Sequence, residues 1–459
     1  MTGSVTLLPS ARRLIDSLRD IGYDLPAAIA DIVDNSISAG SRHVELEFHF
    51  DGTGSWICIT DDGTGMSYRV LEEAMRYGSK RTYQAGELGR YGLGLKTASL
   101  SQCRCLTVAS RRSHERRRIE VCSWDLDHVA RTNRWEVLRI EPDEVLDQLI
   151  SPLRAHTGTV VLWEGLDRIL DYKYPDGAAA RRAFATLASD VRAHLEMVFH
   201  RFLAGEARAG RVSITLDGKD LRAWDPFARD EARTIALEEQ SVFFPDGGEP
   251  VVVRPFVLPT QQTFSSADAH QRAGGPAKWN RQQGFYFYRH DRLVQAGGWS
   301  RLRTVDEHTK LARVAVDIPA ARDDEFGLDV AKMRVRIPTE LRGHFLAIAS
   351  GVATEAGSAY RSGERSPRLE SERSVELVGH AMPDVDPSQL PVADLSFARS
   401  VIEAIFDEMQ GEPDMRRRLL TRVDAAAVRH VRLNRQAAQT ATAALPIRSS
   451  ISATSDGSV

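Results

Sequence analysis

The chain has 459 residues, 42% of them hydrophobic and 27% charged, with a formal net charge of −3. That length suits two or three domains, each with its own core, and the near-neutral charge excludes a global pull toward nucleic acid. No apolar run is long enough to span a bilayer and no charged-then-apolar segment opens the chain, so a cytoplasmic location without a membrane partner is expected.

From Leu25 to Ala39 apolar and polar residues segregate at helical period. Ile29, Ile32, Val33 and Ile37 share one face; Asp31, Asp34, Asn35 and Ser38 share the other. His43 to Phe50 alternates as a half-buried strand does, and Trp56 to Thr60 reads as a second strand ended by an Asp-Asp-Gly turn. Val70 to Tyr77 reads as helix, Gly78 to Leu88 as a polar, mobile segment, and Leu93 to Ser101 as a helix that starts inside a glycine motif. Further strands are expected at Cys105–Ser110, Arg118–Trp124 and Thr159–Trp163, with a long helix at Ala179–Leu203 closing the unit. Helix and strand mix without strict βαβ repetition, which favours an α+β sandwich. A second unit, from about Arg211 to Gly351, holds strand-like runs at Val212–Leu216, Val251–Val257, Gly284–Tyr288, Leu293–Ala296 and Val314–Ile318, then a helix at Pro338–Val352. Ala356 to Pro391 has linker composition. Helices are expected at Phe397–Gln410 and Met415–Ala438, and the end of the chain reads as disordered.

Three motifs carry chemistry. Asp31 and Asn35 stand four apart, one helical turn along one face. An amide oxygen at Asn35 can ligate Mg²⁺, which takes its other ligands from water and phosphate. A carboxylate one turn away can orient or deprotonate an attacking water. The alternative is a solvated polar helix face. In Asp61-x-Gly63-x-Gly65-Met66 the glycines permit unusual backbone and leave room for a flat ring. Asp61 can accept from an exocyclic amine, and Met66 can pack on a base; the alternative is an acidic turn. Gly89-x-x-Gly92-x-Gly94, followed by Lys96, is a glycine-rich loop opening a helix, whose N–H groups favour phosphate. A Rossmann reading needs a strand before it, yet Tyr83–Glu87 is polar.

Together these motifs resemble the GHKL ATPases, the group of DNA gyrase B, Hsp90, MutL and the sensor histidine kinases. The wording Asp34-Asn35-Ser36, Asp61-Asp62-Gly63-Thr64-Gly65-Met66 and Gly89-Arg90-Tyr91-Gly92-Leu93-Gly94-Leu95-Lys96 is most similar to the prokaryotic MORC-type branch. The resemblance implies a Bergerat α/β sandwich at 1–205, followed by a ribosomal-protein-S5-like transducer domain at 206–352. A flexible linker at 353–395, a helical extension at 396–445 and a tail at 446–459 complete the expected organisation. It implies ATP and Mg²⁺ as ligands, Asp31 as general base where the group usually has Glu, Asn35 at the metal and Asp61 at the adenine. Gly89, Tyr91, Gly92, Leu93, Gly94, Leu95 and Lys96 would form the phosphate lid. Thr157-Gly158-Thr159 is similar to the group's small Gly-Thr motif, with Thr159 near the phosphates. Phe326-Gly327-Leu328-Asp329-Val330-Ala331-Lys332 resembles the transducer loop, with Lys332 reaching the γ-phosphate; a surface lysine is the alternative.

The activity so implied is slow ATP hydrolysis that drives lid closure and homodimerisation. Its setting would be a clamp on DNA or a protein partner beside restriction or phage-defence components. A non-hydrolysing sensor or scaffold, made conceivable by the short Asp31, and an Hsp90-like chaperone stand as alternatives. A histidine kinase lacks an acceptor, since no His precedes Asp31. Two arginine clusters, at 111–118 and 416–435, can meet phosphate backbone or simply be solvated. The four cysteines form no Cys-x-x-Cys pair, so free thiols in a reducing compartment are expected rather than zinc.

Overall fold

The structure is a computed structural model that describes residues 9–20, 23–78, 94–112, 118–142, 145, 147–327 and 335–364. Most of the lid motif (Gly89, Tyr91, Gly92, Leu93), Lys332 and everything expected beyond residue 364 lie outside the described residues.

The elements run α1 (Ala11–Arg19), α2 (Leu25–Ser38), β1 (His43–His49), β2 (Trp56–Asp61), α3 (Tyr68–Met75), α4 (Gly94–Leu100), β3 (Cys105–Arg111) and β4 (Glu120–Asp125). There follow α5 (Leu126–Thr132), β5 (Leu138–Arg139), α6 (Asp147–Ala155), β6 (Gly158–Glu164), α7 (Ala178–Val198), α8 (His200–Ala204), β7 (Ser213–Leu216) and β8 (Lys219–Asp220). The remainder is β9 (Ile235–Ala236), β10 (Gln240–Val242), β11 (Val251–Val257), α9 (Ala267–Ala273), α10 (Lys278–Gln282), β12 (Gly284–Arg289), β13 (Arg292–Ala296), β14 (Ala312–Ile318) and α11 (Arg342–Glu364).

Two sheets organise these elements. In the first the strand order is β5-β4-β3-β6-β2-β1-β7-β8. Period-two alternation sorts its side chains. Ile57, Ile59, Val161 and Trp163 face a core shared with α2, α4 and α7, whereas Cys58, Val160 and Leu162 face α6 through Leu149, Ile150 and Leu153. This is the α/β sandwich of the expected α+β class. The strand at Ser213 differs from expectation. It pairs in parallel with β1, His43 opposite Ser213, and so extends the first sheet past residue 205 instead of opening the second. The long helix expected to Leu203 is broken at Phe199, so α8 turns away as a separate segment.

The second sheet has the order β10-β11-β14-β12-β13, with β9 also on β11. β12 and β14 are parallel, β12 and β13 form a hairpin, and α11 packs over β11 and β14. α11 continues to Glu364, into the stretch 353–395 expected as linker, because Phe345, Ala349, Val352, Ala353 and Ala356 keep a buried stripe at helical spacing. No helix of the described residues is long and apolar enough to cross a membrane. The four cysteines are free thiols.

The turn after β2 fits only because of glycine. Gly65 has φ +63°, and a Cβ there would lie 2.0 Å from the Arg111 carbonyl oxygen. Gly158 has φ +146°, and a Cβ would lie 1.9 Å from the Asp61 carbonyl oxygen. Gly40, at φ +78°, has nothing within 4 Å of the same point. Gly158→Ala should therefore cost roughly 3 kcal/mol or more, and Gly40→Ala only about 1–2 kcal/mol for the left-handed backbone. Urea denaturation of both variants checks this; equal losses would contradict the packing described.

Candidate functional site

The site is built on α2. Asp24 caps the helix, its carboxylate accepting from the Ala27 N–H at 2.8 Å, and Pro26 sits in the first turn where no donor is needed. The helix is then buried on nearly every side, since Leu25, Ala27, Ala28, Ile29, Ala30, Ile32, Val33 and Ile37 all lie inside. Its polar residues are therefore not a solvated face. Asp31 and Asp34 are 5% and 1% exposed, whereas Asn35, the next residue, is open to solvent.

Each buried acid has a partner. The Tyr23 hydroxyl donates to Asp31 Oδ2 at 3.1 Å. Arg292, from β13 of the second sheet, places Nε 3.2 and 3.0 Å from the two oxygens of Asp34 and a terminal nitrogen 4.0 Å from Asp31 Oδ1. Gly94, the first residue of α4, lies beside Asp31: a Cβ built on it would be 3.5 Å from Oδ2.

Asp61 ends β2 on the same side. Its Oδ2 accepts from Ser36 Oγ at 2.9 Å and its Oδ1 from the Gly63 N–H at 2.9 Å. The serine next to Asn35 thus ties α2 to the strand end. Burial pushes the Asp61 carboxyl above the usual carboxylate range, opposed by the hydrogen bonds from Gly63, Ser36 and the Thr159 N–H. Asp62 does a different job. Its Oδ1 accepts from Ser41 Oγ and from the N–H groups of Arg42 and His43, so it shapes the loop before β1. Ser110 gathers the other side: Met66 N–H donates to its Oγ at 2.8 Å, and that oxygen is 2.9 Å from both the Gly158 carbonyl and Thr159 Oγ1. Met66 and Leu95 are partly buried against the core.

The structure thus brings together Asp31, Asn35, Asp61, Gly63, Gly65, Met66, Gly94 and Thr159 around α2 and the ends of β2 and β6. Lys96 is placed otherwise. It is 2% exposed, and its Nζ donates to the Ala74 carbonyl of α3 at 2.9 Å. Tyr23, Ser36, Ser110 and Arg292 were given no role at the site by the sequence, although Ser36 belongs to the Asp34-Asn35-Ser36 wording and Arg292 to a run similar to the MORC-type transducer strand pair. Ser36 adjoins the Asp-Asn pair and was within reach of it, and Tyr23 precedes Asp31 by eight positions; Ser110 and Arg292 are joined to the site only by long-range contacts.

The sequence of residues 23–157 matches the family described as histidine kinase-, DNA gyrase B-, and HSP90-like ATPase. A stretch of 78 residues is 33% identical to ATPase MORC2A of Mus musculus and to ATPase MORC2 of Homo sapiens, and 32% identical to ATPase MORC2B of Mus musculus. That stretch covers 16% of this chain and 8% of each relative. Residues 23–157 are therefore an ATPase domain of the GHKL superfamily. Within the superfamily, the likeness of the 78-residue stretch is to the MORC branch.

Burial lowers the Lys96 ammonium from an ordinary 10.5 to about 8, with Glu73 opposing. Between those values the unfolded chain holds a proton that the folded protein has released. This group's contribution to stability therefore rises as pH rises through that window. Lys96→Met removes the contribution, so the stability advantage of the variant over the parent should shrink from pH 7 toward pH 10. Denaturation midpoints at both pH values test this; a constant offset would contradict it.

Proposed function

We propose that the chain binds ATP with Mg²⁺ at this site and hydrolyses it slowly to ADP and phosphate. The observation that carries the reading is the join between Ser36 and Asp61. It fixes a buried acceptor at the end of β2 next to a helix that presents Asn35 to solvent and Asp31 one turn before it. Asp61 would accept from the exocyclic amine of adenine, with Met66 against the ring and Gly63 and Gly65 holding the tight turn between them, their Cβ positions facing Ala39 and the Arg111 carbonyl. Asn35 would hold the metal. Among the described residues no group of three or more His, Cys, Asp or Glu side chains is placed to cage an ion, so one amide plus phosphate and water oxygens suits Mg²⁺. Bound there, Mg²⁺ would neutralise phosphate charge. Asp31 would take the proton from the attacking water. Thr159, Gly94, Leu95 and Lys96 would meet the phosphates, and Gly89, Tyr91, Gly92 and Leu93 would serve as the lid; Lys96 would have to leave Ala74 to reach them. Lys332, in a transducer-like second domain, would meet the γ-phosphate.

In this reading lid closure favours a homodimer that clamps DNA or a protein partner, in a bacterial restriction or phage-defence setting within the cytoplasm. The MORC ATPases named above support the ATPase part. A second reading, a nucleotide sensor that does not hydrolyse, is favoured by one observation: the Asp31 carboxylate is already engaged by Tyr23 and faced by Arg292.

Three substitutions test the roles. Asn35→Ala should abolish Mg²⁺-dependent ATP binding with the fold intact; unchanged calorimetric affinity would remove the metal assignment. Asp61→Asn should weaken ATP by about 10- to 100-fold, the worth of a hydrogen bond to a charged group, and lose preference over GTP. Unaltered discrimination would make Asp61 a turn residue. Asp31→Asn should bind ATP normally and lose phosphate release by roughly 10²-fold or more; equal turnover would leave the sensor reading.

A further inference from the structure

The helix that carries the nucleotide site is gripped by a hairpin of the other sheet. β12 and β13 are joined through His290 and Asp291, both with positive φ (48° and 65°), the geometry of a tight two-residue hairpin turn. The turn is pinned: Asp291 accepts from the Arg208 N–H at 2.8 Å and from Arg201 at 3.3 Å. Just before it, Tyr288 meets His200 at 2.9 Å and lies under the Arg201 guanidinium, 3.5 Å from Cζ to ring centre. Just after it comes Arg292, 4% exposed, with its guanidinium on Asp34 and facing Asp31.

The guanidinium is also held on its own strand, where Nη1 donates to the Leu293 carbonyl at 3.1 Å. Phe199 offers a ring face 5.8 Å away. His194 is kept neutral, lowered to about 4 by burial and by Arg292 itself. The two carboxylates of α2, three residues apart and both buried, would repel each other without a cation between them. Asp31 thus accepts a hydrogen bond from Tyr23 of its own domain and faces, at 4.0 Å, an arginine whose position is set by the second sheet.

We propose that Arg292 is a positioning residue that couples the two sheets to turnover: the catalytic placement of Asp31 depends on the β12–β13 hairpin being docked. This rests on the ATPase reading above. A displacement of the hairpin by about 1 Å moves the cation off the carboxylates, and misplacement of that size costs on the order of 10²-fold in rate. The coupling is reciprocal, as any coupling between sites must be, so nucleotide bound at α2 alters the hairpin in turn.

The experiment uses the full chain and the variants Arg292→Gln, Arg292→Lys, Asp34→Asn and the Arg292→Gln/Asp34→Asn pair. Phosphate release gives kcat and KM, calorimetry gives ATP–Mg²⁺ affinity, and hydrogen exchange of residues 284–296 is followed with and without ATP–Mg²⁺. Arg292→Gln should lower kcat by about 10- to 100-fold with KM and affinity changed less than about threefold, and Arg292→Lys should recover part of the loss. The pair should be no slower than Arg292→Gln alone, because both remove one contact. ATP–Mg²⁺ should change exchange of the hairpin in the parent and not in Arg292→Gln. Parent-like kcat in Arg292→Gln, or a loss in affinity that matches the loss in rate, overturns the proposal. If Arg292→Gln does not fold, parent-like kcat in the charge-free pair overturns it. If the parent binds ATP but releases no phosphate, the hydrolytic reading falls, and the hairpin exchange decides: a nucleotide response lost in Arg292→Lys or the charge-free pair supports the coupling, and no response in the parent overturns it.

Discussion

A guanidinium from one sheet, set against two carboxylates on a buried helix of the other, is the interaction on which the described structure depends. α2 has apolar residues almost all round, so it must be buried, and burial takes Asp31 and Asp34 in with it. Buried carboxylates need hydrogen bonds and a counter-charge. Tyr23 and Arg292 supply them, and only a packed second sheet can deliver Arg292 to that place. Breaking such a buried pair by removing one partner typically costs about 3–5 kcal/mol, although the pair itself adds little net stability. Its value is geometric: it sets where α2 lies relative to β13.

The same economy of space governs the other end of the site. β2, β3 and β6 converge where Asp61, Ser110 and Thr159 share hydrogen bonds, and two glycines with positive φ let the turn after β2 approach within contact of neighbouring carbonyls. The rigid β2 end and the helix are linked by Ser36. A ligand that reaches both Asp61 and Asn35 therefore meets groups already held in place, which limits the ordering cost of binding.

Much of this was legible in the chain because it is local. Helical period located α2 and alternation located β1, the glycine motif marked the start of α4, β2, β3 and β6 were read as strands at their places, and the four-residue spacing put Asp31 and Asn35 one turn apart. What was not legible is what depends on distance along the chain. Arg292 and Asp34 are 258 positions apart, and no period relates them. The pairing of β7 with β1 and the choice between a solvated and a buried polar face on α2 are set by tertiary packing. α6 was missed because Pro152 lies inside it, a residue that ordinarily argues against a helix. The break at Phe199 carries no glycine or proline to announce it, and α11 outran its expected end because small alanines, not large apolar residues, keep its buried stripe.

The central claim is that this buried acidic helix and the β2 end form a nucleotide site that needs a divalent cation. The most direct measurement is a calorimetric titration of the unmodified full chain with ATP, with Mg²⁺ and again with EDTA. The account predicts saturable binding at one site per chain that weakens sharply when Mg²⁺ is withdrawn. Absence of binding in both conditions, or affinity indifferent to the cation, would contradict it.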